Sequence, residues 1–294
     1  MALRVGEPFG TLVLAVAVTV IEVALIVSLM LAGGPAATAL ARDTVFAAVM
    51  IILNGIVGLC LVVGGVRFGE QSFGLHGVSA SLATLAAIVV FSLVLPNYTA
   101  TTPGPVYSAS QLGFIAVVSI GLYATFVLVQ TVRHRDYSFA AVEPGDPDSH
   151  AVPPSRRAGA PRSPALLLLA CLGAAVLLAK ALSPSIESAV AGAGAPKALV
   201  GVIIVAVVLL PEGVAAVRAA AANPLQTSLN LALGSALATI GLTLTLGIDP
   251  NSTVLLVLSL FVSGVALATG RTTVLQGTVL LVVFATCLFT TVVP

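Results

Sequence analysis

Charge is what this chain has least of. Only 8% of its 294 residues are Asp, Glu, Lys or Arg, where an average soluble domain carries about 25%. So few charged side chains cannot cover a soluble fold of this size, and 59% of the residues are hydrophobic. The scarcity excludes a soluble globular protein and points to an integral membrane protein, with the lipid bilayer as its first partner. A formal net charge of +1 gives no electrostatic footprint for nucleic acid. Tryptophan is absent, so the aromatic belt at the membrane interfaces is thin. The three cysteines, Cys60, Cys171 and Cys287, stand singly in apolar runs. They make no CxxC pair or disulfide framework and read as small core residues. The three histidines, His76, His134 and His150, lie in or beside loops, so the helix-borne HExxH pattern of an intramembrane metalloprotease is missing. Serine and aspartyl intramembrane hydrolases fail on the same inventory. The chain is not expected to be an enzyme, and no resident cofactor is expected.

What the chain has in abundance is apolar length. A spanning helix needs about 20 mostly apolar residues. Nine stretches qualify: 10–32, 43–66, 75–96, 110–132, 165–182, 197–221, 224–247, 251–270 and 273–294. Breakers separate them, among them Gly33-Gly34-Pro35, Ser183-Pro184, Asn223-Pro224 and Asp249-Pro250. The fold expected is all-α, a polytopic bundle of about nine transmembrane helices. The first stretch lacks signal-peptide flanks and contains Glu22, so it reads as a spanning helix and not a cleaved leader. Residues 133–164 are polar and rich in Pro and Gly, a composition that buries too little apolar surface to order itself. They divide the chain into 1–132, a flexible loop 133–164, and 165–294.

Lys and Arg set the direction. With the N-terminus in the cytoplasm, Arg4, Arg67, Arg133, Arg135, Arg156, Arg157, Arg162, Arg218 and Arg271 are cytoplasmic, and only Arg42, Lys180 and Lys197 lie outside. The protein is expected in the plasma (inner) membrane, with its N-terminus and the 133–164 loop cytoplasmic. The acids of that loop (Glu143, Asp146, Asp148) match no EF-hand and read as a solvated linker.

Nine of the eleven acidic residues lie in loops or at helix ends. Glu22 and Glu212 do not: each falls near the middle of an apolar stretch, in LAVAVTVIEVALIVS and VIIVAVVLLPEGVAAV. A charged side chain at bilayer depth costs at least about 2.5–3.5 kcal/mol even on insertion scales. Such an acid is either a neutral carboxyl hydrogen-bonded to a neighbouring helix or part of an ion path. The two runs superpose glutamate on glutamate, and each is followed by a stretch with small and polar residues. The first holds Asn54, Gly55 and Gly58; the second holds Gln226, Asn230, Gly234, Ser235 and Thr239. The repeat units start five helices apart, and an odd offset means opposite orientation. That is the inverted-topology repeat of secondary transporters, whose site lies near the midplane where the repeats meet. Pro211, just before Glu212, removes a helix hydrogen bond and frees a carbonyl one turn earlier. Gln226, Asn230 and Gly234 recur every four residues and share one stripe.

The run LLPEGVAAVRAAAANPLQTSLNLALGSALATIGLT (209–243) resembles the second repeat of the bacterial ChaA-type calcium/proton antiporters. GEPFGTLVLAVAVTVIEVALIVSLM (6–30) with ARDTVFAAVMIILNGIVGLCLVVGG (41–65) is similar to their first, and ATGRTTVLQG (268–277) resembles their end. The resemblance covers nearly the whole chain and implies membership of the calcium/cation antiporter superfamily. Its members exchange cytoplasmic Ca²⁺, and in the ChaA type also Na⁺ or K⁺, for protons. It also implies that Glu22 and Glu212 are the paired carboxylates, that Gly234-Ser235 is the Gly-Ser of the second repeat, and that Asn54-Gly55 is its first-repeat counterpart. Thr19 stands where many members have Asn. Two departures support a second expectation, a truncated, non-transporting member: about two further hydrophobic helices usually precede GEPFG, and the stretch from Leu242-Thr243 to Gly247-Ile248-Asp249-Pro250 is shorter than usual.

Ca²⁺ takes six to eight oxygen ligands. Glu22 and Glu212 can neutralise it as metal ligands, while Asn230, Ser235, Asn54, Thr19, freed carbonyls and water fill the shell. Gln226 and Gly234 line the same stripe. The carboxylates hold either a metal or protons, and that competition is the expected basis of exchange.

Overall fold

The computed structural model describes residues 42–129, 164–196, 198–223, 225–241 and 247–293. The 10–32 stretch, with Thr19 and Glu22, and the 133–164 loop except Pro164 lie outside the described residues. The elements, in chain order, are α1 (Arg42–Phe68), β1 (Gln71–Ser72), α2 (Leu75–Tyr98), α3 (Ala109–Leu128) and α4 (Pro164–Gly192). They continue with α5 (Ala198–Ala221), α6 (Leu225–Gly241), α7 (Pro250–Leu267), β2 (Arg271–Thr272) and α8 (Val274–Val292). Each of the eight helices occupies one of the apolar stretches, and six are long and apolar enough to cross a membrane. Helix is what such sequences must form in lipid, where every backbone N–H and C=O needs a partner within its own segment.

Helix α1 is the axis of the core. Val49, Ile52, Leu53, Val57 and Cys60 are buried, and its neighbours include α5, α6 and α8. The α1–α8 contact is made by glycines. A Cβ at Gly277 would stand 2.7 Å from Gly58 O and Val62 N, and one at Gly65 would stand 2.7 Å from Val274 N. Small residues at a helix crossing let the backbones approach closely, the usual device inside membranes. By contrast Phe114, Val117, Ile120 and Phe261 are exposed, as the lipid-facing side of a spanning bundle must be.

Helix starts carry their own signals. Ser108 and Gln111 form a capping box at α3, and Thr273 and Gln276 form one at α8. At α7 the Asp249 carboxylate accepts from Ser252 N at 3.0 Å, with Pro250 in the first turn.

One boundary differs from the sequence expectation. Ser183-Pro184 does not end a helix: α4 runs on through Pro184 to Gly192. One missing N–H costs little beside the packing gained, because Ile186 and Val190 lie against Val200 and Ile204 of α5. Helix α6 is described as far as Gly241, and residues 242–246 of the expected 224–247 stretch lie outside the described residues. Gly247 N donates to Pro105 O at 3.1 Å and Ile248 N to Leu93 O at 3.0 Å, so those amides are committed to the end of α2 and the α2–α3 connection.

The loops at the two ends are tied in similar ways. At one end β1 and β2 pair antiparallel, Gln71 opposite Thr272 and Ser72 opposite Arg271. Gly69 and Gly270, with φ of 77° and 70°, turn the chain into these strands in a conformation that L side chains disfavour. Gln71 is buried in a notch that only glycine at 64 leaves open, and its Nε2 donates to Asn223 Oδ1 at 3.1 Å. Arg67, Arg218 and Arg271 end or follow helices at this same end. At the opposite end Asn97 Nδ2 donates to Ile248 O at 2.6 Å, and the Asn97 carboxamide fills the notch at Gly247.

Candidate cation site

Two polar centres are built around the middle of α1. The first belongs to α5 and α6. Glu212 follows Pro211 inside α5, and the Ser235 hydroxyl of α6 donates to its Oε2. Glu212 and Ser235 are both half-buried. Among the described residues the ion pairs are Arg42–Asp43 and Arg271–Glu70, so no described Lys or Arg neutralises Glu212. Next to Ser235, no atom of the described residues stands within 4 Å of where a Cβ on Gly234 would be.

The second centre belongs to α1 and α7. Residues Ile51–Ile56, IILNGI, form a π-helical turn within α1. Such turns are rare and recur at functional sites, because the wider winding re-aims side chains. Asn54 lies on this turn, fully buried, and its Nδ2 donates to Ser259 Oγ of α7 at 2.9 Å. Among the described residues its Oδ1 has no hydrogen-bond partner. The same turn meets α5 beside Glu212: a Cβ at Gly213 would come 3.3 Å from Ile56 Cδ1. The fold thus sets the Asn54 turn against the Glu212 turn.

A cavity of about 220 Å³ opens at the end of the bundle that carries Arg42, Asp43 and Asp249. It reaches down to Met50, whose sulfur lies 3.7 Å from Asn54 Nδ2 and 3.3 Å from Ser259 Oγ.

The remaining residues expected at the site are distributed as follows. Gln226 and Asn230 do share a stripe: Gln226 Nε2 donates to Asn230 Oδ1 at 2.9 Å. The other end of the Gln226 carboxamide accepts from Gly74 N at 2.6 Å, at the start of α2. Gln226 thus serves the loop between β1 and α2 as well as Asn230. Glu22 and Thr19 lie outside the described residues. Sequence reasoning did not single out Ser259. Its signal is a serine pair four apart, Ser259 and Ser263, in the otherwise apolar LLVLSLFVSG, a spacing that puts both on one face. Both are fully buried.

Comparison with known proteins bears on what such a site does. The sodium/calcium exchanger protein family model matches residues 3–132. The chain is 49% identical over 312 aligned residues to an ionic transporter, y4hA, of Sinorhizobium fredii, covering 100% of this chain and 83% of that protein. It is 34% identical to the sodium-potassium/proton antiporter ChaA of Escherichia coli, covering 99% and 82%. Among solved structures, native YfkE superposes with a TM-score of 0.73 at 18% identity, over 97% of this chain and 84% of that one. YfkE is described as a Ca²⁺/H⁺ antiporter, and at that identity the likeness speaks for the fold. Identity spread over nearly the full length of a named antiporter, with an exchanger-family match and the same fold, settles the family: the chain belongs to the calcium/cation antiporter superfamily.

Proposed function

We propose that this protein exports Ca²⁺, with Na⁺ or K⁺ as further substrates, in exchange for protons. The observation that carries the reading is Glu212. It is an acid midway along a spanning helix, bonded by the Ser235 hydroxyl and unpaired with any described cation, beside the π-turn that presents Asn54. A carboxylate so placed has two ways to become neutral, a proton or a metal ion, and one excludes the other. Glu22, its counterpart in the first repeat, supplies the second carboxylate. Asn54, Ser235, Asn230 and Thr19 supply neutral oxygens of the kind hard cations take. The exchanger activities of ChaA, YfkE and the matching family support the same reading.

Alternating access follows if the halves 1–132 and 165–294 are inverted repeats rocking about this site. The loop ties support that arrangement. In such a scheme α1, α2 and α3 correspond to α6, α7 and α8. The α1–α2 loop, tied to the α7–α8 loop at one end, then maps onto the α6–α7 loop, tied to the α2–α3 loop at the other. The end with Arg67, Arg218 and Arg271 is cytoplasmic by the distribution of positive charge, and the cavity beside Arg42 opens outward.

The test is proton flux in everted vesicles with Ca²⁺, Na⁺ and K⁺ added in turn. Ca²⁺ is expected to release protons from preloaded vesicles at the lowest concentration of the three. Silence with all three, repeated with purified protein in liposomes, leaves the non-transporting alternative.

A further inference from the structure

Ser259 is bonded in a way that fixes which end of Asn54 is free. Its hydroxyl has a single proton, and Leu255 O, which can only accept, lies 2.7 Å away. With the proton directed there, Ser259 Oγ is left as an acceptor, and Asn54 Nδ2 fills that role at 2.9 Å. Met50 Sδ faces the same amide nitrogen at 3.7 Å. The donor end of the carboxamide is occupied and the acceptor end is not: Asn54 Oδ1 is buried without a partner among the described residues. Flipping the amide would set Oδ1 against the lone pairs of Ser259 or make the hydroxyl give up its 2.7 Å bond to Leu255 O. One turn along α7, Ser263 Oγ is likewise buried without a partner. Buried polar atoms are nearly always satisfied, and exceptions call for a ligand or a functional reason. An oxygen held free on a π-turn next to Glu212 suits a hard cation, which binds through oxygens.

We infer that Ser259 is a positioning residue for exchange: it holds the Asn54 carboxamide so that Oδ1 faces the transported ion. The inference rests on the exchange reading above and adds to it a residue of α7, outside both glutamate-bearing stretches.

The experiment is cation-dependent proton exchange by purified full-length protein in liposomes, read as half-saturating Ca²⁺ and maximum rate. Ser259→Ala is expected to raise the half-saturating concentration about tenfold, with the maximum rate within about twofold, since one charge-facing hydrogen bond is lost. Ser259→Cys keeps nearly the same volume but has a sulfur that accepts poorly, and it should behave like Ala. Ser259→Thr, which keeps the hydroxyl, should restore the wild-type value. In an Asn54→Ala background, Ser259→Ala should add nothing, because its effect runs through Asn54. A wild-type half-saturation in Ser259→Ala or Ser259→Cys overturns the inference. So does an additive loss in the double variant. Wild-type liposomes that exchange no cation overturn the exchange reading, and the inference with it.

Discussion

A carboxyl group on a protein takes its behaviour from the few atoms that face it, and two acids of this chain show the range. Glu212 has one hydroxyl donor, Ser235, and no described cation. Asp249, outside the spans, has donors in plenty. Burial works against its ionisation, yet the Ser252 hydroxyl and amide, its own amide and the charge of Arg42 hold its carboxyl below the usual carboxylate range. A depressed folded value means that the stabilisation is complete above the unfolded value and is lost as pH falls through the folded one. Asp249→Ala removes the α7 cap and should cost about 1 kcal/mol. The expected result is a lower melting temperature in detergent at neutral pH, with the gap from wild type narrowing on acidification below the carboxylate range. A gap that does not change with pH would contradict it. Residue roles were only partly legible in the sequence. An acid inside an apolar run announces itself, so Glu212 was visible, and Ser235 stood out in the following polar stretch. Gln226 and Asn230 shared one spacing in the sequence, and that spacing did not show that Gln226 also accepts from Gly74 N. Ser259 was passed over because serine alone is a common packing residue in membrane helices.

At the scale of elements, the bundle depends on how closely α1 and α8 approach. Gly277→Leu would drive a side chain into the α1 backbone at Gly58 and Val62. Overpacking of this kind costs about 1–3 kcal/mol or more. The variant should melt lower and aggregate on size exclusion, whereas Gly113→Ala on α3, with no atom within 4 Å of the new Cβ, should melt as wild type or slightly higher. Equal behaviour of the two would refute the packing argument. Helix existence was readable from apolar length, because lipid leaves the backbone no other choice. Helix ends were less so. Pro184 was read as a stop, but whether a proline stops a helix depends on what the following turn packs against, here Val200 and Ile204. The π-turn at Asn54 had no sequence signature beyond the Asn-Gly pair, because its winding is set by contacts with α5 and α7.

For the whole molecule, membership of the calcium/cation antiporter superfamily joins a scaffold of paired loop ties to an acid inside a spanning helix. If the halves rock, the tie between β1 and β2 must open when the arginine-rich end opens. Ser72 and Arg271 are opposed across this antiparallel pair, where Cα atoms lie about 4.5–5.5 Å apart, within disulfide reach. A Ser72→Cys, Arg271→Cys pair, oxidised, should stop exchange, and reductant should restore it. Undiminished exchange by the cross-linked protein would show that this end does not open there. The membrane class and the apolar stretches that carry the described helices were legible from composition. These ties were not, because they join loops with no hydrophobic periodicity.

The most direct measurement is Ca²⁺-driven proton efflux in everted vesicles that contain Glu212→Gln at wild-type abundance. Glutamine keeps the size and can still accept from Ser235, but it can neither neutralise a cation nor carry a proton. Exchange of every cation should vanish, while Ser72→Ala, made at the exposed β1 position, exchanges as wild type. Glu212→Gln vesicles that exchange at the wild-type rate would contradict exchange at Glu212.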